Sequence, residues 1–296
     1  AGIAKKTLIS IGAEVPDVII ETLKVKNEIS PEAYELFLKA KYAILNVKSS
    51  ADREMAQELF KKAIKIEPNY LEARYNYAMT MVQSNQLERA IDILDDALII
   101  ANKESDKSGA AGINAIYGII NVRWGKFEKA IKYFEKALEY RTKEKNIQEE
   151  GKILNNLAHC YTQLGLMEKA LDFANRSLDL KREISDKKGI ATSLFSTSLI
   201  YRRISDYAKA IKYSKESIEL FDELNITLHD CILKMNLGLY LVFVGNFEEA
   251  SDNFNEAIAR SKKMNDFTSL GMCHRGLGLI YLDQGKWSLA QKEFKQ

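Results

Sequence analysis

Seven alanines set the frame of this chain. Ala56, Ala90, Ala130, Ala170, Ala210, Ala250 and Ala290 follow one another at an interval of 34 residues and then of 40 residues five times running. Their neighbours match as well as their spacing. The segments LAHCYTQLGLMEKALDFANRSL, GLYLVFVGNFEEASDNFNEAI and GLIYLDQGKWSLAQKEF share one wording: a small residue, an aromatic or aliphatic residue three later, a turn, then the alanine near the head of a second apolar run. Recurrence at a fixed period of this length marks one supersecondary unit copied in tandem, and no copy can bury its apolar face alone. Length by itself, 296 residues, allows two domains. The period predicts instead one stacked array with a continuous core.

Each copy reads as two helices. In the fourth, Leu154, Leu157, Ala158, Tyr161 and Leu164 recur at helical spacing on one face. Gly165 then interrupts the run and suits a left-handed cap. Met167, Ala170, Leu171, Ala174, Leu178 and Leu180 line the inner side of the second helix. Gly125, Gly245 and Gly285 hold the equivalent turn, with Asn85 and Ser205 in its place elsewhere. No strand-type alternation persists, so the fold class is all-α.

Three sets of positions carry a resemblance. The small position holds Ala78, Gly118, Ala158, Ser198, Gly238 and Gly278, and three residues on stand Met81, Asn121, Tyr161, Tyr201, Leu241 and Tyr281. A later, often aromatic position holds Phe60, Leu94, Phe134, Ala174, Ser214, Phe254 and Phe294, and Pro68 closes the first copy. This pattern resembles the tetratricopeptide repeat, in its 40-residue-period form. The resemblance implies a right-handed superhelical solenoid of helix-turn-helix repeats, seven of them over residues 31–296, the last truncated. Asn121 departs from the pattern, being polar where Tyr is the rule, and the first copy has a longer turn, NVKSSADREM. A 40-residue period exceeds the family's usual 34, and the charged, proline-poor links ESDKSG, KEKNIQEE, EISDKKG and KKMNDFTS argue that the extra residues lengthen the helices. Residues 1–30 stand outside the repeat; Ile3, Leu8, Ile9 and Ile11, then Pro16 with Val18, Ile19 and Leu23, suggest short helices covering the first copy. The stretch SPEAYELFLKAKYAIL is similar to the opening of repeat arrays in bacterial signalling proteins with TolB-like or class III nucleotide cyclase regions.

Composition narrows the function. Lys and Arg total 43 against 41 Asp and Glu, a net charge of +2, which removes the electrostatic case for nucleic-acid binding. No window of 18 uncharged apolar residues exists, so no membrane span is expected, and no signal peptide is visible. Three cysteines fit a reducing compartment, which points to the cytoplasm. Cys160 reads as a small buried hydrophobe, and Cys231 and Cys273 fall near one level of adjacent copies, as free thiols. No HExxH, phosphate loop, GxSxG or CxxC occurs, and His159, His229 and His274 lie in separate copies as surface or packing residues. Catalysis, cofactor and metal are therefore not expected.

Binding is. In tetratricopeptide arrays the first helices line the concave side, and on that resemblance the groove here is lined by Asn76, Met79, Ile119, Arg123, Asn156, His159, Phe195, Leu199, Arg203, Met235, Asn236, Leu239 and Phe243. The stripe is strongly apolar, which suits an amphipathic or extended segment of a partner protein; the competing reading is that the array buries it. Asn76, Asn156 and Asn236, spaced 80 apart, resemble alternate rungs of the asparagine ladder of kinesin light chains and Pins-type adaptors. Arg123, Arg202 and Arg203 bring positive charge that suits acidic residues or a C-terminal carboxylate. The carboxylate clamp of chaperone-binding arrays is not reproduced: Lys152, Asn155 and His159 come nearest and fail at the second asparagine. The expected partner is thus a protein or peptide segment, with a homodimer through an uncapped C-terminal end as a further possibility. The alternative reading is a sensory or dimerisation region of a larger signalling protein such as a class III cyclase. A Rap-type pheromone receptor needs an N-terminal effector bundle, for which residues 1–29 are too short.

Overall fold

A computed structural model of the protein describes residues 29–47, 49–227 and 230–296. The expected N-terminal lead-in therefore lies outside the described residues, except for its last two positions. Among the described residues there are fourteen helices and no strand, and no helix is long and apolar enough to cross a membrane. The helices gather into two compact units, up to Glu144 and from Lys145 to Gln296. The first unit holds three hairpins: α1 (Pro31–Leu45) with α2 (Ser50–Ile66), α3 (Leu71–Gln83) with α4 (Leu87–Lys103), and α5 (Lys107–Arg123) with α6 (Phe127–Lys143). The second holds four: α7 (Ile147–Gln163) with α8 (Met167–Glu183), α9 (Lys187–Arg203) with α10 (Tyr207–Glu223), α11 (Asp230–Phe243) with α12 (Phe247–Met264), and α13 (Phe267–Asp283) with α14 (Trp287–Phe294).

From α5 to α10 every helix is 17 residues long. Three-residue turns join them, so two helices and two turns close the 40-residue period, and its extra length lies in helix. The turns share one hydrogen-bond design. Gly125 N–H donates to the Val122 carbonyl at 2.9 Å and Lys126 N–H to the Asn121 carbonyl at 2.8 Å, which satisfies two orphan carbonyls of α5. The middle residue is left-handed: Gly165 at φ +78°, and also Asn85 at +58° and Ser205 at +63°. The turns between hairpins also carry a left-handed residue, at Ser105, Lys145, Ser185, Asn225 and Asn265. The residue after each of several of these is a true N-cap: Asp106, Asn146, Asp186 and Asp266 accept from the backbone N–H of Gly109, Glu149, Gly189 and Ser269. Each link thus ends one helix and starts the next within three residues.

Hairpins close through a small residue set against a side chain 16 positions later. A Cβ at Gly118 would lie 2.5 Å from the Phe134 ring, one at Gly238 2.7 Å from Phe254, and one at Gly278 2.5 Å from Phe294. Phe254 is clasped twice, since a Cβ at Gly276 of the next hairpin would lie 2.4 Å from it. Where the first partner is larger, the second is smaller: Ala78 precedes Leu94, Ala158 precedes Ala174, and Ser198 precedes Ser214, all of them buried. In the latter two hairpins flat aromatic pairs add packing, Tyr161 on Phe173 at 5.3 Å and Tyr201 on Tyr213 at 5.3 Å. Asn121, the polar departure, is 3% exposed and turns its amide back to the Tyr117 carbonyl at 2.8 Å.

The core is not uniformly apolar. A large cluster built on Phe37, Phe60, Leu94 and Ile113 fills the first unit, and another on Phe254, Leu277 and Ile280 fills the end of the second. Between α8 and α9 the interior is instead polar. Ser177 Oγ donates to the Gly151 carbonyl at 2.7 Å, and Lys181 Nζ donates to Ser193 Oγ at 2.6 Å. Lys181 is 4% exposed. Desolvation pulls its pKa down to about 8, with Lys152 acting in the same direction and Asp186 opposing.

Two outcomes follow from this packing. Gly118→Ala gains roughly 1 kcal/mol of helix propensity but loses about 1–3 kcal/mol to overpacking. Adding Phe134→Leu recreates the Ala78–Leu94 arrangement, so chemical denaturation of the two single variants and the pair is expected to be non-additive in favour of the pair; additive energies would show that the two sites do not share space. The buried lysine sets a pH dependence. Its folded pKa, about 8, lies below the ordinary 10.5, so the unfolded chain binds more protons between those values and stability rises with pH across that window. Lys181→Met is expected to flatten that rise and to stabilise the chain at pH 7 by up to about 3 kcal/mol, read from denaturation midpoints against pH.

Candidate functional site

The expected groove residues divide between the two units. In the first, Met79 and Ile119 are half-buried and lean on the core cluster, and Arg123 is exposed at the end of α5. Asn76 is half-buried, and its Nδ2 donates to the Glu72 carbonyl of its own helix at 2.7 Å. Asn114 does the same to Ala110 at 2.7 Å. Each of these two side chains spends an amide hydrogen on the carbonyl one turn back.

In the second unit the expectations separate. Asn156, Phe195, Leu199 and Leu239 are half-buried; His159, Arg203 and Phe243 are exposed. Phe195 leans on Ala191, Phe221 and Leu233. Phe243, 62% exposed, stacks on Tyr207 at 4.5 Å between ring centres. Met235 and Asn236 correct the expectation: they are only 8% and 9% exposed. Because α13 packs against α11, Met235 joins the cluster of Cys273 and Leu277 instead of facing outward. Asn236 donates to the Ile232 carbonyl at 2.7 Å and accepts a long bond from the Tyr240 hydroxyl at 3.5 Å. What persists along this face is the residue after the small position: Leu199 and Leu239 half-buried, and Leu279 44% exposed.

One concavity breaks this apolar ladder. It lies between α7 and α9 and is lined by Ala158, His159, Thr162 and Gln163 from the first and by Ser196, Leu199, Ile200, Arg202 and Arg203 from the second. Arg203 Nη2 reaches Gln163 Oε1 at 3.4 Å, joining the same position of consecutive hairpins. Arg202 lies beside the Tyr240 hydroxyl, which burial pushes up in pKa and the arginine pulls down. Its Nε is buried with no hydrogen-bond partner. Surrounding protein first, and the charge of Arg203 second, hold the His159 pKa below the ordinary histidine value. Ser196 and Arg202 stand at repeat positions that the sequence places on the groove side, although neither is among the candidate partner-binding residues. A comparison of each position across the copies finds the site, because two arginines stand side by side in the last turn of a first helix only here among the described residues.

The other candidates for chemistry are structural. His274 Nδ1 lies 2.6 Å from Glu293 Oε2 and ties α13 to α14, while His229 lies outside the described residues. Cys160, Cys231 and Cys273 are buried and free. Burial pushes the Cys160 and Cys273 thiols up to about 12, Cys231 adding to the effect on Cys273. Among the described residues no three His, Cys, Asp or Glu side chains cluster as metal ligands.

Comparison with known proteins assigns the repeat. Tetratricopeptide repeat models match residues 50–107, 111–144 and 149–223, and a model of Anaphase-promoting complex subunit 5 matches residues 226–280. The Tetratricopeptide repeat protein 19 homolog, mitochondrial, of Drosophila melanogaster is 24% identical over 225 residues, 71% of this chain. The match spans 60% of that relative's length. Among solved structures, a Signal Transduction ATPase with Numerous Domains protein with a tetratricopeptide repeat sensor from Pyrococcus horikoshii superposes with a TM-score of 0.69 at 16% identity, over 91% of this chain and 46% of that one. A Rap protein complexed with competence and sporulation factor superposes with a TM-score of 0.62 at 15% identity, over 92% of this chain and 81% of that one.

The burial of the thiols sets an expectation for their chemistry. A thiol reagent at pH 8 is expected to label Cys160 and Cys273 at least about tenfold more slowly in the native protein than in denaturant, since thiolate is scarce and access is closed; equal rates would contradict the buried placement.

Proposed function

We propose that this chain of tetratricopeptide repeats is a non-catalytic protein-interaction module, which receives an extended or helical segment of a partner on the first-helix faces of its hairpins. The observation that carries the reading is the apolar ladder of the second unit. Leu199, Leu239 and Leu279 occupy one repeat position in consecutive hairpins, and each keeps part of its surface in water. Apolar surface repeated along one face is costly to leave wet and marks a partner site. The first unit offers Met79 and Ile119 at the same repeat position. The fold supports the reading too, because a similar Rap protein is seen complexed with a factor. A reducing aqueous compartment fits the three free buried thiols.

The regulatory alternative has one observation in its favour. The similar archaeal ATPase carries its tetratricopeptide repeats as a sensor, and this chain spans 46% of that protein. A sensor still has to bind something, so both readings use the same face.

The test is the pair Leu199→Asp and Leu239→Asp in the full chain, passed over with a synthetic random decapeptide mixture. Retention by the wild type and loss of at least about tenfold in the variant, with helicity by circular dichroism unchanged, is the expected result. Undiminished retention by the charged variant would overturn the assignment of this face.

A further inference from the structure

The concavity between α7 and α9 is chemically out of step with the ladder that contains it. At the repeat position of His159 the other copies carry Met79, Ile119, Leu199, Leu239 and Leu279. At the position of Thr162 and Arg202 they carry Val82, Val122, Val242 and Leu282. Two apolar rows thus become polar or charged at one junction, and there the substituted residues face each other across a single pocket. A solvated surface charge does not need this convergence.

The charges are also unbalanced. The pocket lining contains Arg202 and Arg203, a histidine whose surroundings favour its neutral form, and no Asp or Glu. Arg203 meets the neutral amide of Gln163, at a long 3.4 Å. Arg202 is partnered on one side by the Tyr240 hydroxyl, and its buried Nε has no acceptor. A desolvated guanidinium donor left unpaired is expensive, and buried donors are as a rule satisfied. Some exposed cations of this protein do meet carboxylates: Lys209 meets Asp206 at 3.0 Å and Lys215 meets Glu249 at 2.6 Å. No carboxylate of the lining offsets these guanidinium groups.

We propose that this pocket is a carboxylate anchor, in which the guanidinium groups of Arg202 and Arg203 grip a carboxylate of the bound segment while Leu199 borders the adjoining apolar contact. Carboxylate is the acceptor whose two oxygens match the arginine fork, and its charge offsets the local excess of positive charge. Ser196 and Thr162 add hydroxyls to the lining. The inference rests on the peptide-binding reading of the face and specifies what that peptide must carry. The carboxylate has two sources, the C-terminus of the bound segment or an Asp or Glu side chain within it.

Four synthetic random decapeptide mixtures distinguish them: with or without Asp and Glu, each with a free or an amidated C-terminus. The chain of residues 1–296 is immobilised, and retained peptide is measured by mass spectrometry. Retention that depends on the free terminus identifies the terminal carboxylate as the anchor; retention that depends on Asp and Glu identifies the side chain. Arg203→Gln, at an exposed site where folding is not at stake, is expected to cut carboxylate-dependent retention by about tenfold or more. Arg203→Lys is expected to recover part of it, and Lys212→Gln, on the second helix of the hairpin, to change nothing. If the amidated mixture lacking Asp and Glu is retained as well as the others, the anchor is wrong while the groove stands. Equal retention by Arg203→Gln and wild type likewise overturns the anchor alone. If the wild type retains none of the four mixtures, the groove reading itself fails, and the anchor with it.

Discussion

The close approach of two helices at a residue with little or no side chain organises this protein. Gly118, Gly238 and Gly278 leave room for Phe134, Phe254 and Phe294, and no Cβ could be added there without moving a ring. The contact fixes more than distance. A phenyl ring set over a glycine defines which faces of the two helices meet, and therefore which residues remain for the neighbouring hairpin. Phe254, held between Gly238 and Gly276, does both jobs with one side chain. Because the two partners are 16 residues apart in each of the six hairpins from α3 to α14, the three-residue turn between them must keep its length, and its left-handed middle residue follows from that requirement.

The same constraint explains where polarity is tolerated. The hairpin closed by Gly238 and Phe254 sits in an apolar cluster with Leu277 and Ile280. The hairpins closed by Ala158 with Ala174, and by Ser198 with Ser214, contribute less apolar volume, and they border the interior that holds Ser177, Ser193 and Lys181. The seam is hydrogen-bonded, so it need not be weak, but it is directional where an apolar contact is not. It also lies in the hairpins that carry the polar pocket. Helix α9 presents Ser193 to the seam and Arg202 and Arg203 to the pocket, so one helix bears both exceptions to the apolar rule.

Much of this is legible in the sequence. The recurring alanines locate every hairpin, and Gly165, Asn85 and Ser205 mark turns that are left-handed as their residue types require. The charged links supply helix, as their composition suggests, and they hold a further signal in their caps: Asp106, Asp186 and Asp266 stand three residues before the N–H groups they accept from. The exchange of size between paired positions is also present in the letters, visible only when the small position and the one 16 residues on are set side by side. Met235 and Asn236 are harder. Their burial depends on how closely α13 lies against α11, a tertiary fact with no local signature. The asparagine rungs carry a competing demand: at Asn76 and Asn236 one amide hydrogen already bonds the carbonyl four residues back in its own helix.

A ladder of equivalent leucines has an intrinsic weakness as a recognition surface. Leu199, Leu239 and Leu279 present the same chemistry at one repeat interval, so a bound segment with apolar residues at matching spacing gains nearly the same energy in more than one register. Affinity drawn from such a face is nonspecific in position. A single charged acceptor site within the ladder removes the degeneracy, because shifting the segment by one hairpin places its carboxylate against leucine and leaves the arginines unpaired. Polar groups discriminate in this way more by what a wrong alignment costs than by what the right one gains. On the proposed reading the apolar stripe and the pocket are parts of one device, the first supplying contact area and the second fixing where along the array the segment begins.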